Sequence, residues 1–139
     1  MFKKIAFLAL SSYFILLLVA CSGVSSVDGG ISPVETIALD DEYGAAVNVE
    51  KNDVFALDVS RPSSKGYRIS GAAFDPEMLR MERYIEYDGG SGPRARYLFT
   101  ALEEGATDVL IRMTPEAGGE TVVYRQVAVS IGSGNAWLD

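Results

Sequence analysis

The stretch VFALDVSRPSSKGYRISGAA, residues 54–73, decides the fold. In VFALDV (54–59), Phe55, Leu57 and Val59 alternate with Val54, Ala56 and Asp58, the two-residue period of a strand with one buried face. YRISGAA (67–73) reads as a second strand. Between them lies RPSSKG, where Pro62 fixes its own φ and pushes Arg61 toward an extended conformation, while Gly66 permits the positive φ needed to re-enter a strand. A strand, a stiff turn and another strand in so short a span point to a β protein held together by tight connections.

The pattern continues in both directions. VETIAL (34–39) and AAVNVE (45–50) are short strands separated by the acidic turn Asp40-Asp41-Glu42. DPEMLR (75–80), with Asp before a Pro in the first-turn position, is expected to form a single helical turn. MERYIEY (81–87), RYLFTA (96–101), TDVLIRM (107–113) and TVVYRQVAVSI (121–131) are rich in β-branched and aromatic residues, and GGSGP, LEEGA and PEAGG between them are turn signals. No stretch after the N-terminal segment offers a helical stripe. Seven to eight strands in about 100 residues predict an all-β, immunoglobulin-like antiparallel β-sandwich over 34–139.

The beginning of the chain has another character. MFKKIAFLALSSYFILLLVAC carries Lys3 and Lys4, an apolar run and no acid, the composition of a secretory signal over 1–20. Leu18-Val19-Ala20-Cys21 resembles the lipobox of bacterial lipoproteins. That resemblance implies cleavage before Cys21 and lipidation of its thiol and amine, anchoring the protein to a membrane of the bacterial cell envelope without spanning it. Ser22 after the Cys implies the outer membrane in a Gram-negative cell. Residues 21–33, small, polar and Gly-rich, read as a flexible tether.

Composition excludes several function classes. Of the 139 residues, 12 are Lys or Arg and 19 are Asp or Glu; removal of Lys3 and Lys4 leaves ten basic side chains against nineteen acidic, which argues against a nucleic-acid partner. The chain has no His, so a Ser-His-Asp triad and a His-containing zinc site are excluded. Its one Cys is assigned to lipid, leaving neither a disulfide nor a thiol nucleophile. Asp40-Asp41-Glu42 and Glu103-Glu104 lack the spacing of a calcium loop and read as solvated turn residues. No enzymatic activity, metal or cofactor is expected, and the domain is expected to be a monomer.

From Phe55 to Ile131 the order of features resembles the chagasin-like inhibitors of papain-type cysteine peptidases, immunoglobulin-like sandwiches whose activity lies in three loops at one end. Their first motif, Asn-Pro-Thr-Thr-Gly followed by an aromatic, is matched by Pro62, Ser63, Ser64, Gly66 and Tyr67, with Arg61 replacing Asn and Lys65 inserted. Gly-x-Gly-Gly corresponds to Gly90-Ser91-Gly92, with Pro93 in place of the last Gly. Arg-Pro-aromatic corresponds to Thr114-Pro115-Glu116, where only the proline is kept. The resemblance implies a papain-like cysteine peptidase as partner and a non-covalent wedge, with Arg61, Pro62, Ser63, Ser64, Lys65, Gly66, Gly90, Ser91, Gly92, Thr114 and Pro115 as the binding loops. The alternative is an envelope binding or assembly module that keeps the fold without inhibition, and the departures in the second and third loops favour it. Taken singly, each loop also reads as an ordinary solvated turn, since Pro, Ser and Gly dominate turns of every function.

Overall fold

The computed structural model describes residues 30–40 and 43–133. The signal, Cys21, most of the tether, the acidic pair Asp41-Glu42 and the tail GNAWLD lie outside the described residues.

Eight strands follow in chain order: β1 (Glu35–Ala38), β2 (Gly44–Glu50), β3 (Val54–Ser60), β4 (Tyr67–Ala73), β5 (Leu79–Gly89), β6 (Gly92–Ala101), β7 (Gly105–Pro115) and β8 (Val122–Gly132). They form two four-stranded sheets, ordered β1-β3-β6-β5 and β2-β8-β7-β4. This is the all-β immunoglobulin-like sandwich that the alternation predicts. Phe55, Leu57 and Val59 on β3 stand opposite Phe99, Tyr97 and Ala95 on β6, and all six are buried. Val109 and Ile111 of β7 with Val127, Val129 and Ile131 of β8 close the core from the other sheet. Phe99 lies at the aromatic centre, with ring centroids 5.7 Å from Phe55, 5.1 Å from Phe74 and 6.1 Å from Tyr97. Side chains alternate strictly between faces, so a one-residue slip of β3 would exchange this apolar row for Ala56 and Asp58.

One detail differs from the sequence reading. The β1–β3 and β2–β8 pairs are parallel, whereas the other four pairings are antiparallel. The cause is that β1, β2 and β3 alternate between sheets, so strand neighbours are not sequence neighbours and no hairpin dictates their direction. DPEMLR makes the single turn expected of it, closed by a backbone bond of helical i to i+4 spacing. The Asp75 carboxylate accepts the Glu77 N–H at 2.9 Å, and the Asp75 carbonyl accepts from Met78 at 3.1 Å and Leu79 at 2.9 Å. Leu79 is fully buried and already belongs to β5, which ends the turn at once.

The register also fixes which end is which. The β3–β4 connection, the β5–β6 tip and the β7–β8 connection lie at one end. At the opposite end, the Val34 N–H bonds the Val54 carbonyl at 2.8 Å and the Lys51 N–H bonds the Gly132 carbonyl at 2.9 Å. Both flanks of the described domain therefore leave from the end remote from those three connections.

Candidate functional site

The first connection is a single 3-10 turn, Pro62–Lys65, rather than an open loop. Arg61 precedes it at φ −70°, ψ 131°, the extended conformation that a following proline demands, and Gly66 ends it at φ 78°. The Gly66 N–H bonds the Ser63 carbonyl at 3.1 Å. Pro62 is buried, while Ser63, Ser64, Lys65 and Gly66 are exposed. Pro62 is thus the peg beneath the turn, and the hydroxyls above it form the surface.

The second connection is a tight hairpin with Gly90 and Ser91 at its tip, between Gly89 and Gly92, which are paired. Pro93 sits inside β6, beyond Ser60–Arg94, the last β3–β6 pair, and its carbonyl accepts the Arg61 N–H at 3.0 Å. That bond brings the first two connections together around a cleft of about 560 Å³, lined by Arg61, Ser63, Ser64, Ser91, Gly92 and Arg94 among others. The Ser63, Ser64 and Ser91 hydroxyls make no hydrogen bond to another described residue. These hydroxyls are therefore open to a binding partner as donors and acceptors.

The third connection corrects the sequence reading. Thr114 and Pro115 belong to β7, not to a loop; Thr114 is only 9% exposed and its hydroxyl meets that of Thr121 at 2.8 Å. The cause is strand pairing: Thr114 stands opposite Arg68 and Pro115 opposite Tyr67, so β7 runs on as far as β4 does. The exposed connection is 116–121, carrying Gly118 at φ 89°. Its Glu116 N–H bonds the Gly66 carbonyl at 2.9 Å, which ties it to the first turn. All three connections therefore meet at one end, with the first turn in the middle.

Beneath them lies a charge network absent from the sequence reading. Asp58, 4% exposed, points to the outer face of its sheet and accepts hydrogen bonds from Tyr87, Arg94 and Arg96. Arg94 continues to the Asp40 carboxylate at 2.8 Å and the Ser60 hydroxyl at 3.1 Å. Burial alone would raise the Asp40 carboxyl, but the hydrogen bond and charge of Arg94 outweigh it and hold Asp40 below the ordinary range. Burial, then the hydrogen bond to Asp58, pushes the Tyr87 phenol up.

Arg61 belongs to a separate pair, donating to Glu86 at 3.1 Å and approaching Asp88 at 3.9 Å. Half-exposed ion pairs contribute only about 0–1 kcal/mol, so this contact orients the turn against β5 more than it stabilises the fold. Its partners were legible only as alternate acids in RYIEYDG; nothing in the sequence paired them with Arg61 across 25 positions. Among the described residues no cluster of three or more His, Cys, Asp or Glu is placed to hold a metal ion, and no helix is long and apolar enough to cross a membrane.

With two sheets of this order and three connections meeting at one end, the domain is an immunoglobulin-like β-sandwich. No protein-family model and no curated protein matches the chain. Among solved structures it is similar to the cysteine protease inhibitor EhICP2 from Entamoeba histolytica, with a TM-score of 0.56 and 17% identity, over 72% of this chain and 99% of that one. It is also similar to amebosin in its solution structure, with a TM-score of 0.50 and 11% identity, again over 72% of this chain and 99% of that one. At such identities the likeness is one of fold.

Proposed function

We propose that this protein is a lipid-anchored inhibitor of papain-like cysteine peptidases, whose three connections enter the peptidase cleft as a non-covalent wedge. The observation that carries the reading is the joining of the connections through Arg61–Pro93 and Gly66–Glu116, which fixes their relative shape before any partner arrives. Binding then freezes few torsions, and preorganisation of this kind is what converts a small contact area into affinity. The exposed centre of the wedge is Ser63, Ser64, Lys65 and Gly66, flanked by Gly90, Ser91 and Gly92 on one side and by 116–121 on the other. The likeness to EhICP2, itself a cysteine protease inhibitor, supports the target class.

The anchor rests on the lipobox at Cys21, and the exit of the domain's N-terminal flank from the far end supports it, since a tether there holds the wedge away from the lipid surface. The runner-up, a non-inhibitory envelope binding module, is favoured by one observation: Thr114 is buried and Glu116 replaces an aromatic, so the third connection lacks the anchor that often dominates an interface. Titration of the full-length chain against papain decides between them. Inhibition with a constant below about 1 μM, or about −8 kcal/mol, is expected; papain and related peptidases left fully active at that concentration would establish the binding module instead. Replacing Cys21 by Ser should release the protein from the membrane fraction or leave the precursor uncut, and unchanged anchoring would remove the lipobox reading.

A further inference from the structure

Away from the three connections, the last strands of the two sheets face one another across an open side of the sandwich. β4 ends one sheet and β5 ends the other, so each turns one row of backbone N–H and C=O groups outward. Between them is a groove of about 260 Å³ lined by Ile69, Ala72, Met81, Tyr84 and Tyr97, with room for an apolar side chain. Met81 and Tyr84 are 41% and 38% exposed, among the most exposed large apolar residues described. Natural sheets usually guard such an edge with charge or with a bulge that throws a side chain into the way. On β4 the bulge falls at Ser70 and Gly71, both small, and a Cβ built at Gly71 would meet nothing within 4 Å, so the backbone stays approachable.

The charge around this edge is unlike that of the whole chain. Lys65, Arg68, Arg83 and Arg112 form no ion pair with another described residue. Lys65 stands two residues before the strand, and β4 itself contains no acid. Ile69 and Ala72 pair with Met113 and Ile111 on the inner face, which places Arg68 and Arg112 on the outer face of the same two strands. The acids across the groove are already engaged: Glu82 with Arg80 and Thr100, Glu86 with Arg61 and Tyr84. In a chain of net charge −7, β4 thus offers a cation and no acid along its edge, with Arg112 beside it.

We propose that the outer edge of β4 is a second binding site, which takes an extended acidic peptide as an added strand. Alternate side chains of that peptide point to opposite faces. Its apolar residues enter the groove between Ala72 and Met81, and its acidic residues lie along Arg68 and Arg112. The main chain supplies affinity, and the alternation supplies selectivity. The chain's overall negative charge does not forbid this partner, because at physiological salt a charge beyond about 8 Å is largely screened and the nearby arginines decide.

The test uses the full-length chain and a fluorescein-labelled octapeptide of alternating Glu and Val, followed by anisotropy, with amide hydrogen exchange to locate the contact. Saturable binding that protects β4 amides is expected. The alternating Lys and Val peptide should bind roughly tenfold more weakly or worse. Arg68→Glu with Arg112→Glu should weaken the acidic peptide by a similar factor while leaving the melting temperature unchanged, since both side chains are exposed and unpaired. Absence of binding, equal binding of the two peptides, or protection confined to 61–66 and 116–121 would overturn the proposal. So would concentration-dependent self-association that Met81→Asp abolishes, because the occupant would then be a second copy of the chain.

Discussion

Gly66 shows how much one residue in the first connection decides. At φ 78° its backbone lies where an L side chain is strained, yet a Cβ there would meet no atom within 4 Å, so any cost is conformational and not steric. Gly66→Ala should therefore destabilise the domain by about 1 kcal/mol, read from urea unfolding, and Gly66→Asn by less. In the inhibition assay Pro62 or Gly66 replacements should weaken binding more than Lys65→Ala, because the first two set the shape that the third decorates. Equal tolerance of all three would remove the turn from its central role. Asp58 predicts a larger effect. It is buried and holds two arginines and a tyrosine, so Asp58→Ala should cost about 3 kcal/mol, chiefly by leaving Arg94 and Arg96 without their shared partner.

Asp40 adds a pH dependence with a defined sign. Its carboxyl titrates lower in the folded state than its ordinary 3.8. The stability it contributes is thus fully present above that value and is lost as the pH falls through the folded value. On acidification from about pH 5 to pH 3, the melting temperature of the wild type should fall more steeply than that of Asp40→Asn. Parallel curves would show that the Arg94 contact is not formed in solution.

At the scale of elements, β4 spans the same residues as the sequence reading, and β2 and β3 each differ by one residue. All three carry the two-residue period or end at unmistakable punctuation. β5 and β6 run longer than expected because Gly89 and Gly92 still pair, and Gly-rich sequence marks a turn without stating how tight it is. The parallel pairs were illegible for another reason: a strand's direction is set by where the chain crosses between sheets, which no local pattern records. The site divided the same way. The extended Arg61 and the left-handed Gly66 follow from covalent geometry and were foreseen, whereas the burial of Pro62 and Thr114 and the Asp58 network depend on contacts made across the fold. Phe99, central to β6, tests the core itself. Phe99→Ala should cost about 4 kcal/mol, since three aromatic rings lose their common neighbour.

The molecule as a whole has two poles, one formed by the three connections and the other by the Val34–Val54 and Lys51–Gly132 contacts. Between them the path from Val34 runs through β1, which lies parallel to β3 with Glu35, Thr36, Ile37 and Ala38 in register with Phe55, Ala56, Leu57 and Asp58. Backbone bonds from Val34 to Val54 and from Leu39 to Asp58, each 2.8 Å, bracket that register. Suppose the chain ahead of residue 30 is held fast while something gripping the far pole is dragged away. The load then runs along β1 in one direction and along β3 in the other. Parallel neighbours pulled this way slide past each other in shear, so their bonds must break together instead of peeling apart one at a time. The arrangement gives a small domain without a disulfide a mechanical clamp at the point where a tugging force would enter it.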